Sequence, residues 1–252
     1  MRSLRYLRVL VPAVFLFMSG VGHAQEWIEY ASRSDMFTVN FPGQPTVRDI
    51  NWETEYRITI PGHVHRYDDG QSHYSVTVVD YSNVQKIHAD RVKGCTGYPD
   101  TCGNPYVAEL RGAMEYAAWS FLKRDAKVTY YAYGNTDRIE GRRLQLSNAD
   151  GSRTFAQIHM HENRLYIFEA TVPKGAPSPA LFQQSAGFLD KNGVRVRYDT
   201  VYSNAHPGAD ARAVLACVRK RFSFAIAVQN RHASRLIPEE DSMTHDCRHA
   251  AR

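Results

Sequence analysis

The sequence lacks the short motifs that identify the commonest catalytic sites. Its 252 residues contain no GxSxG nucleophile elbow, no HExxH zinc motif, no phosphate-binding glycine loop and no Rossmann glycine pattern. These absences argue against an enzyme of those classes. They leave open an enzyme whose site carries no recognisable signature.

A large charge excess is also missing from the body of the chain. The formal net charge is +5, but three of the 31 Lys and Arg residues lie in residues 1–24, which hold no acid. Residues 205–252 hold eight basic and five acidic residues, which leaves 20 basic against 21 acidic side chains in residues 25–204. A nucleic-acid-binding surface needs lysine and arginine clustered on the folded body, so we exclude nucleic acid as a partner.

Long apolar runs are absent except for one near the start. The run from Val9 to Met18 is shorter than the ~20 apolar residues that a helix needs to span a bilayer. It follows three arginines and precedes Gly22-His23-Ala24, which is the layout of a secretory signal peptide cleaved after Ala24. We therefore expect residues 1–24 to be removed, and the mature chain to be periplasmic or secreted without a transmembrane segment.

Cysteines are few, and their number is even. Cys95 and Cys102 enclose a short loop whose glycine and proline can turn the chain back on itself. In an oxidising compartment this arrangement predicts a Cys95–Cys102 disulfide that pins the loop, and the spacing is not the CxxC of a redox pair. Cys217 and Cys247 could also pair with each other, but nothing local requires it.

Alternating apolar and polar residues predict strands over most of residues 25–204. The predicted strands are 37–41, 55–60, 73–81, 127–133, 142–147, 154–161, 164–172 and 194–198. Turn signals separate them at Pro42-Gly43, Pro61-Gly62 and Glu162-Asn163, of which the last joins the strands of a hairpin.

Apolar residues at helical spacing predict helices between these strands. A short helix covers 84–92, a second begins at Asn104-Pro105 and carries Val107 on its apolar stripe, and a third runs from Ser178-Pro179 to about Phe188. We therefore expect an α+β domain, a layered sandwich in which helices cover a mostly antiparallel sheet. Residues 205–252 form a basic extension that we predict to be partly helical and then disordered.

The order of these motifs resembles that of a known group of proteins. Phe37 to Pro45 is similar to a recurring opening of small exported bacterial proteins of unknown function, and Arg164 to Phe168, followed by Phe182 to Asp190, looks like their closing strand and helix. Such proteins resemble the PsbP-like α/β sandwich. The resemblance implies an accessory or assembly role and supplies no catalytic residue.

Two His-x-His motifs are the sharpest chemical feature. In a strand, His63 and His65 would point to one face, as would His159 and His161. If the two pairs lay on adjacent strands, they could offer four nitrogen ligands to zinc or copper, with His73 as a fifth neighbour. The alternative is that these histidines lie on the polar, solvent-facing side of a half-buried sheet, and the first pair could instead lie in a turn after Pro61-Gly62.

Two further groups could bind a ligand. Arg195 and Arg197 would share one strand face and could hold a carboxylate or phosphate, whereas the adjacent Arg142 and Arg143 would point to opposite faces. Surface pairing with neighbouring acids is the simpler explanation for such arginines. An aromatic stretch forms either a ligand platform or ordinary core; it comprises Tyr130, Tyr131 and Tyr133, with Trp119 nearby.

The extension contains two weaker candidates. His245, Cys247 and His249 are metal-ligand types at close spacing, although the entropy of ordering a disordered terminus opposes a tight site. The basic segment 212–221 could make weak contact with an anionic membrane surface.

These features lead to one principal expectation. The chain is expected to be an exported, non-enzymatic accessory or binding domain whose partner is an unknown envelope protein or a small ligand, with no cofactor. The alternatives are a periplasmic metal-binding protein that uses the paired histidines with zinc or copper, and an enzyme without a recognisable motif.

Overall fold

The computed structural model describes residues 27–97 and 102–204, which contain ten strands and three helices. The strands are β1 (Ile28–Ser32), β2 (Phe37–Phe41), β3 (Thr46–Glu53), β4 (Thr59–Asp68), β5 (His73–Asp80), β6 (Ala126–Thr136), β7 (Ile139–Asn148), β8 (Arg153–His161), β9 (Arg164–Val172) and β10 (Gly187–Phe188). The helices are α1 (Val84–Lys93), α2 (Tyr106–Leu122) and α3 (Ala180–Ser185). The predicted signal peptide, and the extension 205–252 with its cysteines and basic segment, lie outside the described residues.

The strands form two antiparallel sheets. The large sheet has seven strands in the order β3-β4-β5-β9-β8-β7-β6, and the small sheet has the order β1-β2-β10. The predicted α+β class with a mostly antiparallel sheet is therefore confirmed. None of the helices in the described ranges is long and apolar enough to cross a membrane.

Tight turns explain the two longest hairpins. Glu162 and Asn163 join β8 to β9, as the sequence predicted, and their φ values are 46° and 60°. Asp137 and Arg138 join β6 to β7 with φ values of 50° and 66°. Two consecutive residues with positive φ are characteristic of a type I′ turn, whose twist matches that of paired strands. These turns fix the register of the β6–β7 and β8–β9 pairs next to the turn.

Separate apolar clusters cover the two faces of the large sheet. On the helix face, α1 and α2 pack over residues that include Val79, Leu144, Ile158 and Leu165. On the small-sheet face, β2, β10 and α3 pack over residues that include Val76, Tyr166 and Phe168. The central strands are consequently covered on both sides.

Strand β8 shows this double coverage most clearly. Every residue from Thr154 to His161 is buried, whereas the sequence pattern had suggested a half-buried strand with its histidines towards solvent. On the small-sheet face, the Phe188 ring of β10 lies 5.4 Å from the His159 ring, centroid to centroid. The solvent-facing interpretation of His159 and His161 is therefore wrong, because a second layer that the local pattern does not reveal covers that face.

The turn predicted at Pro61-Gly62 is absent, which is a second correction to the sequence prediction. Both residues lie inside β4, and the chain turns earlier, at residues 54–57, where the Arg57 N–H donates to the Thr54 carbonyl at 3.0 Å. Pro61 lies one residue before the first β4–β5 pair, Gly62 with Val79, so its missing N–H interrupts no bond of that ladder. Long pairing with β3 and β5 here overrides a local turn signal.

The end of the described chain differs from the prediction in two ways. The third helix stops at Ser185, because the buried Phe188 leaves helical geometry to pair with Phe37 as part of β10. Residues 194–198 do not form a strand, since only an isolated bridge joins Arg195 to Leu189. The predictions missed β1 and β3 entirely.

The two longer helices match their predicted positions closely. Helix α1 spans Val84–Lys93, and α2 begins at Tyr106, with Pro105 in the capping position that we had expected Asn104 to fill. Val107 is exposed rather than part of the apolar stripe. The stripe instead includes Glu109, whose buried carboxylate lies 3.0 Å from Nε2 of His88 on α1.

Gly141 on β7 provides a test of this packing. A methyl group at Gly141 would lie 2.3 Å from Nδ1 of His159 and 2.5 Å from the Ile158 carbonyl oxygen. Because the backbone atom cannot move away cheaply, we expect Gly141→Ala to lower the free energy of unfolding by about 1–3 kcal/mol. Gly94→Ala is the control, since nothing lies within 4 Å of its added methyl group. Equal unfolding midpoints in urea for the two variants would contradict this packing.

Candidate functional site

A cleft of about 590 Å³ opens on the small-sheet face, where the small sheet does not extend over β6 and β7. Helix α3 and the chain around residue 195 form its opposite wall. The lining side chains that can carry charge or form hydrogen bonds are Tyr130, Asn135, Thr136, Asp137, Arg143, Gln145, Gln157, Ser178, Gln183, Gln184, Arg195 and Arg197. The cleft is thus built mainly from cationic and neutral polar groups.

Arg195 and Arg197 converge at one end of this cleft. Nε of Arg195 donates to Oδ2 of Asp137 at 2.7 Å, and Nη2 of Arg197 donates to Oδ1 at 3.2 Å. The Asp137 side chain is only 3% exposed, whereas that of Arg197 is 77% exposed. The arginines therefore share a face as predicted, but a buried aspartate in a hairpin turn brings them together rather than strand geometry.

A third guanidinium belongs to Arg143 on β7. It lines the cleft and donates from Nη2 to the Asn135 carbonyl at 3.0 Å, whereas Arg142 lies on the helix face and forms an ion pair with Glu115. The prediction that these two arginines point to opposite faces is confirmed. Three guanidinium groups thus face the cleft, against the single carboxylate of Asp137.

Neutral hydrogen-bonding groups form the floor of the cleft. Gln157 on β8 is 4% exposed, and its Nε2 donates to the Gln183 carbonyl at 3.0 Å while Thr136 donates to its Oε1 at 3.3 Å. The Tyr130 ring is half exposed at the rim. An anionic group could therefore bind to the guanidinium groups while an attached polar group meets the amides and the tyrosine.

The two histidine pairs lie far apart on the sheet. All four imidazoles point to the small-sheet face, and His63 falls in the same cross-strand row as His159. Strands β5 and β9 separate β4 from β8, so the pairs are three strand spacings apart, roughly 14 Å. The four-nitrogen metal site required the two pairs to lie on adjacent strands, and β4 and β8 are not adjacent.

His63 and His65 instead bind one carboxylate. Asp35, in the turn between β1 and β2, accepts from Nδ1 of His63 at 2.7 Å and from Nε2 of His65 at 2.8 Å. Burial raises the pKa of the Asp35 carboxyl, but the hydrogen bonds and charge of His65 and His63 outweigh it and hold the pKa at about 2. The Tyr166 hydroxyl donates to the Asp35 carbonyl at 2.9 Å, so this cluster ties the small sheet to the large one.

His159 and His161 are held as neutral side chains. Nδ1 of His159 donates to the carbonyls of Ile139 and Glu140 at 3.2 and 3.1 Å, and Nε2 of His161 lies 2.9 Å from the Tyr198 hydroxyl. Burial lowers the pKa of each imidazole to about 4; backbone hydrogen bonds oppose this shift at His159, and the nearby Arg164 adds to it at His161. At His159 both ring nitrogens have a hydrogen-bonding neighbour, since Nε2 lies 3.3 Å from the Thr136 hydroxyl oxygen.

No group of three or more His, Cys, Asp or Glu residues within 27–97 and 102–204 is arranged to hold a metal ion. His73 contacts Asp68 in an exposed position and joins neither pair. The predicted ligands His245, Cys247 and His249 lie outside these ranges. The zinc or copper hypothesis thus has no assembled site in the described part of the chain.

The aromatic stretch is divided between the two faces. Tyr130 lines the arginine cleft, whereas Tyr131 lies on the helix face beside Trp119, and the pairing of β6 with β7 shows a bulge between Val128 and Tyr130. A ligand platform that includes both Tyr130 and Tyr131 is therefore excluded. The predicted Cys95–Cys102 disulfide is present, with its Cα atoms 5.8 Å apart.

Sequence reasoning missed the acids and amides that organise these groups. Asp137 lies next to Arg138 in a two-residue hairpin turn, and Asp35 lies in the turn before β2. An aspartate in a tight turn is so common that neither residue stood out. Gln157 shares a face of β8 with His159 by strand alternation, but its burial depends on α3, whose position the local pattern does not reveal.

Comparison with known proteins gives only a distant likeness. No family model and no curated protein matches the chain. The chain is similar to the solution structure of cyanobacterial PsbP from Synechocystis sp. PCC 6803, at 12% identity and a TM-score of 0.38, covering 68% of this chain and 96% of that chain. A likeness this distant carries no argument about function.

The buried imidazoles predict a stability loss in mild acid. Because the pKa of His161 is about 4 in the folded protein and about 6.5 when exposed, its stabilising contribution is complete above pH 6.5 and is lost as the pH falls through 4. The loss amounts to about 3 kcal/mol. We expect His161→Phe, which retains the ring packing, to reduce the fall in unfolding free energy between pH 6.5 and 4, as measured by urea unfolding. His159 still contributes its own share of that fall. His73→Gln is the exposed control, and equal pH slopes in the two variants would contradict this assignment.

Proposed function

We propose that this chain is an exported, non-enzymatic binding domain that takes a small anionic ligand in the arginine cleft. The observation that carries the proposal is the set of three guanidinium groups, from Arg143, Arg195 and Arg197, facing a 590 Å³ cleft with one carboxylate among them. Guanidinium groups bind carboxylates and phosphates through paired hydrogen bonds, and this volume suits a small organic molecule.

Asp137 prepares the site for such a ligand. It holds two guanidinium groups in fixed positions and neutralises one positive charge. The three arginines and the aspartate together therefore carry a net charge of +2. Because the aspartate is buried and the arginine tips are more exposed, a ligand meets the cations first. Preorganised cations bind an anion more tightly than flexible ones, because less side-chain entropy is lost on binding.

The fold and the leader complete the proposal. The helices, the large sheet and the small sheet form a layered sandwich, and the signal-like residues 1–24 direct export to the periplasm or beyond. An accessory role in the cell envelope follows from that location together with a binding cleft. The partner is a small acid or an acidic group on an envelope protein.

The arginine cleft is tested with anionic probes. We expect citrate, succinate or inorganic phosphate to raise the thermal midpoint of the protein and to give saturable heats in calorimetry. The double variant Arg143→Gln, Arg197→Gln should weaken that affinity by about tenfold or more, since each charge-assisted hydrogen bond contributes about 1.5–3 kcal/mol. Arg195 is left intact, because it also bonds the carbonyl groups of Ser185 and Ala186.

Arg48→Gln is the matched control, because Arg48 lies exposed on β3 at the opposite edge of the sheet. It should bind the probes like the wild type. If none of the three anions binds, or if the double variant binds as well as Arg48→Gln, the arginine cleft is not an anion site.

Export is tested by expressing the full chain in a bacterium with two membranes. We expect protein in the periplasmic fraction whose mass corresponds to a start at Gln25. Ala24→Arg should leave an uncleaved precursor, because the cleavage site requires a small residue immediately before the cut. Cytoplasmic protein of full mass from the unaltered chain would remove export from the proposal without affecting the cleft.

A further inference from the structure

A second cleft, of about 330 Å³, lies on the helix face of the molecule. Its lining consists of Glu55, Glu115, Tyr116, Trp119, Leu122 and Tyr131. Four of these residues follow one another at helical spacing along the outward side of α2. The turn before β4 supplies Glu55, and strand β6 supplies Tyr131.

Three aromatic rings line this cleft and remain accessible. Trp119 is 54% exposed and Tyr131 is 42% exposed, whereas Tyr116 is half-buried with its ring 6.5 Å from that of Trp52. Such exposure of large rings on one concave surface is unusual for side chains that only pack. The negative faces of aromatic rings attract an organic cation, and tryptophan attracts it most strongly.

The two carboxylates of the cleft differ in how they are satisfied. Glu115 accepts from the Tyr131 hydroxyl at 2.9 Å and forms an ion pair with Arg142, so its charge is compensated. Glu55 makes no hydrogen bond or ion pair with the residues described, and its carboxylate lies against α2 at Gly112. A methyl group at Gly112 would meet Oε2 of Glu55 at 2.7 Å, so the glycine permits this approach.

From this arrangement, we infer that the aromatic cleft binds a small organic cation of the alkylated ammonium class. Glu55 is the counter-ion, and Trp119 and Tyr131 provide the aromatic faces. An anion is repelled by the carboxylates, and an apolar ligand would remove Glu55 from water without compensation. A guanidinium has five N–H donors, which a single free carboxylate cannot satisfy. A quaternary ammonium has no hydrogen-bond donor, so it fits this lining better.

This inference does not depend on the arginine cleft. The two clefts lie on opposite faces of the large sheet, and alternation along β6 and β7 sends Tyr130 and Arg143 to one and Tyr131 and Arg142 to the other. The double variant Arg143→Gln, Arg197→Gln should therefore bind cations like the wild type. Each binding site can fail its test while the other passes.

The test is a titration of the protein with choline and with tetramethylammonium, in which tryptophan fluorescence and calorimetry measure binding. We expect saturable binding that is about tenfold weaker for the neutral isostere 3,3-dimethylbutanol, which has the same shape without the charge. N-acetyl-lysine amide, which stands for a protein lysine, should bind more weakly than choline. Tighter binding of the lysine amide would overturn the preference for an alkylated ammonium.

Two variants locate the site. Glu55→Gln and Trp119→Leu should each weaken choline binding by about three- to thirtyfold, and Glu29→Gln, an exposed acid on β1, should leave it unchanged. Because Glu55 and Trp119 are exposed, both variants should keep the wild-type unfolding midpoint. Equal affinity for the neutral isostere, no saturable signal with either cation, or unaltered binding by Glu55→Gln would overturn the inference.

Discussion

The burial of strand β8 on both faces is the constraint on which most of this structure depends. A strand covered by helices on one side and by a second sheet on the other can carry polar side chains only if each finds a partner inside the protein. Gln157 bonds Gln183, His159 bonds two carbonyl groups, and His161 meets Tyr198. The imidazoles are therefore neutral structural groups, and their low pKa values of about 4 follow from the same burial.

The clefts arise where this coverage ends. The small sheet does not extend over β6 and β7, so the side chains on that face meet solvent and line the arginine cleft. On the helix face, the outward side of α2 and strand β6 leave the aromatic cleft between them. The clefts differ in charge because strand alternation separates neighbouring residues, and because Asp137 gathers arginines on one face while Glu55 remains uncompensated on the other.

Much of the strand pattern could be predicted from local residues. The β8–β9 hairpin, β2, β5 and both longer helices lie within one or two residues of their predicted bounds, because turn chemistry and side-chain periodicity act over short distances. Prediction failed where distant pairing overrides a local signal. Pro61-Gly62 lies inside β4 because β3 and β5 hold it there, and Phe188 leaves the third helix because Phe37 offers a buried partner in β2.

The candidate site divides in the same way. The sequence alone determined that Arg142 and Arg143 face apart and that each histidine pair shares one face, because alternation is a property of a single extended strand. Only the tertiary structure decided which strands are neighbours and what covers them. The histidine pairs are separated because β5 and β9 lie between β4 and β8, and the arginines meet because a turn more than fifty residues earlier in the chain supplies Asp137. Contacts between residues so distant in sequence arise from packing of the whole chain, which no local pattern records.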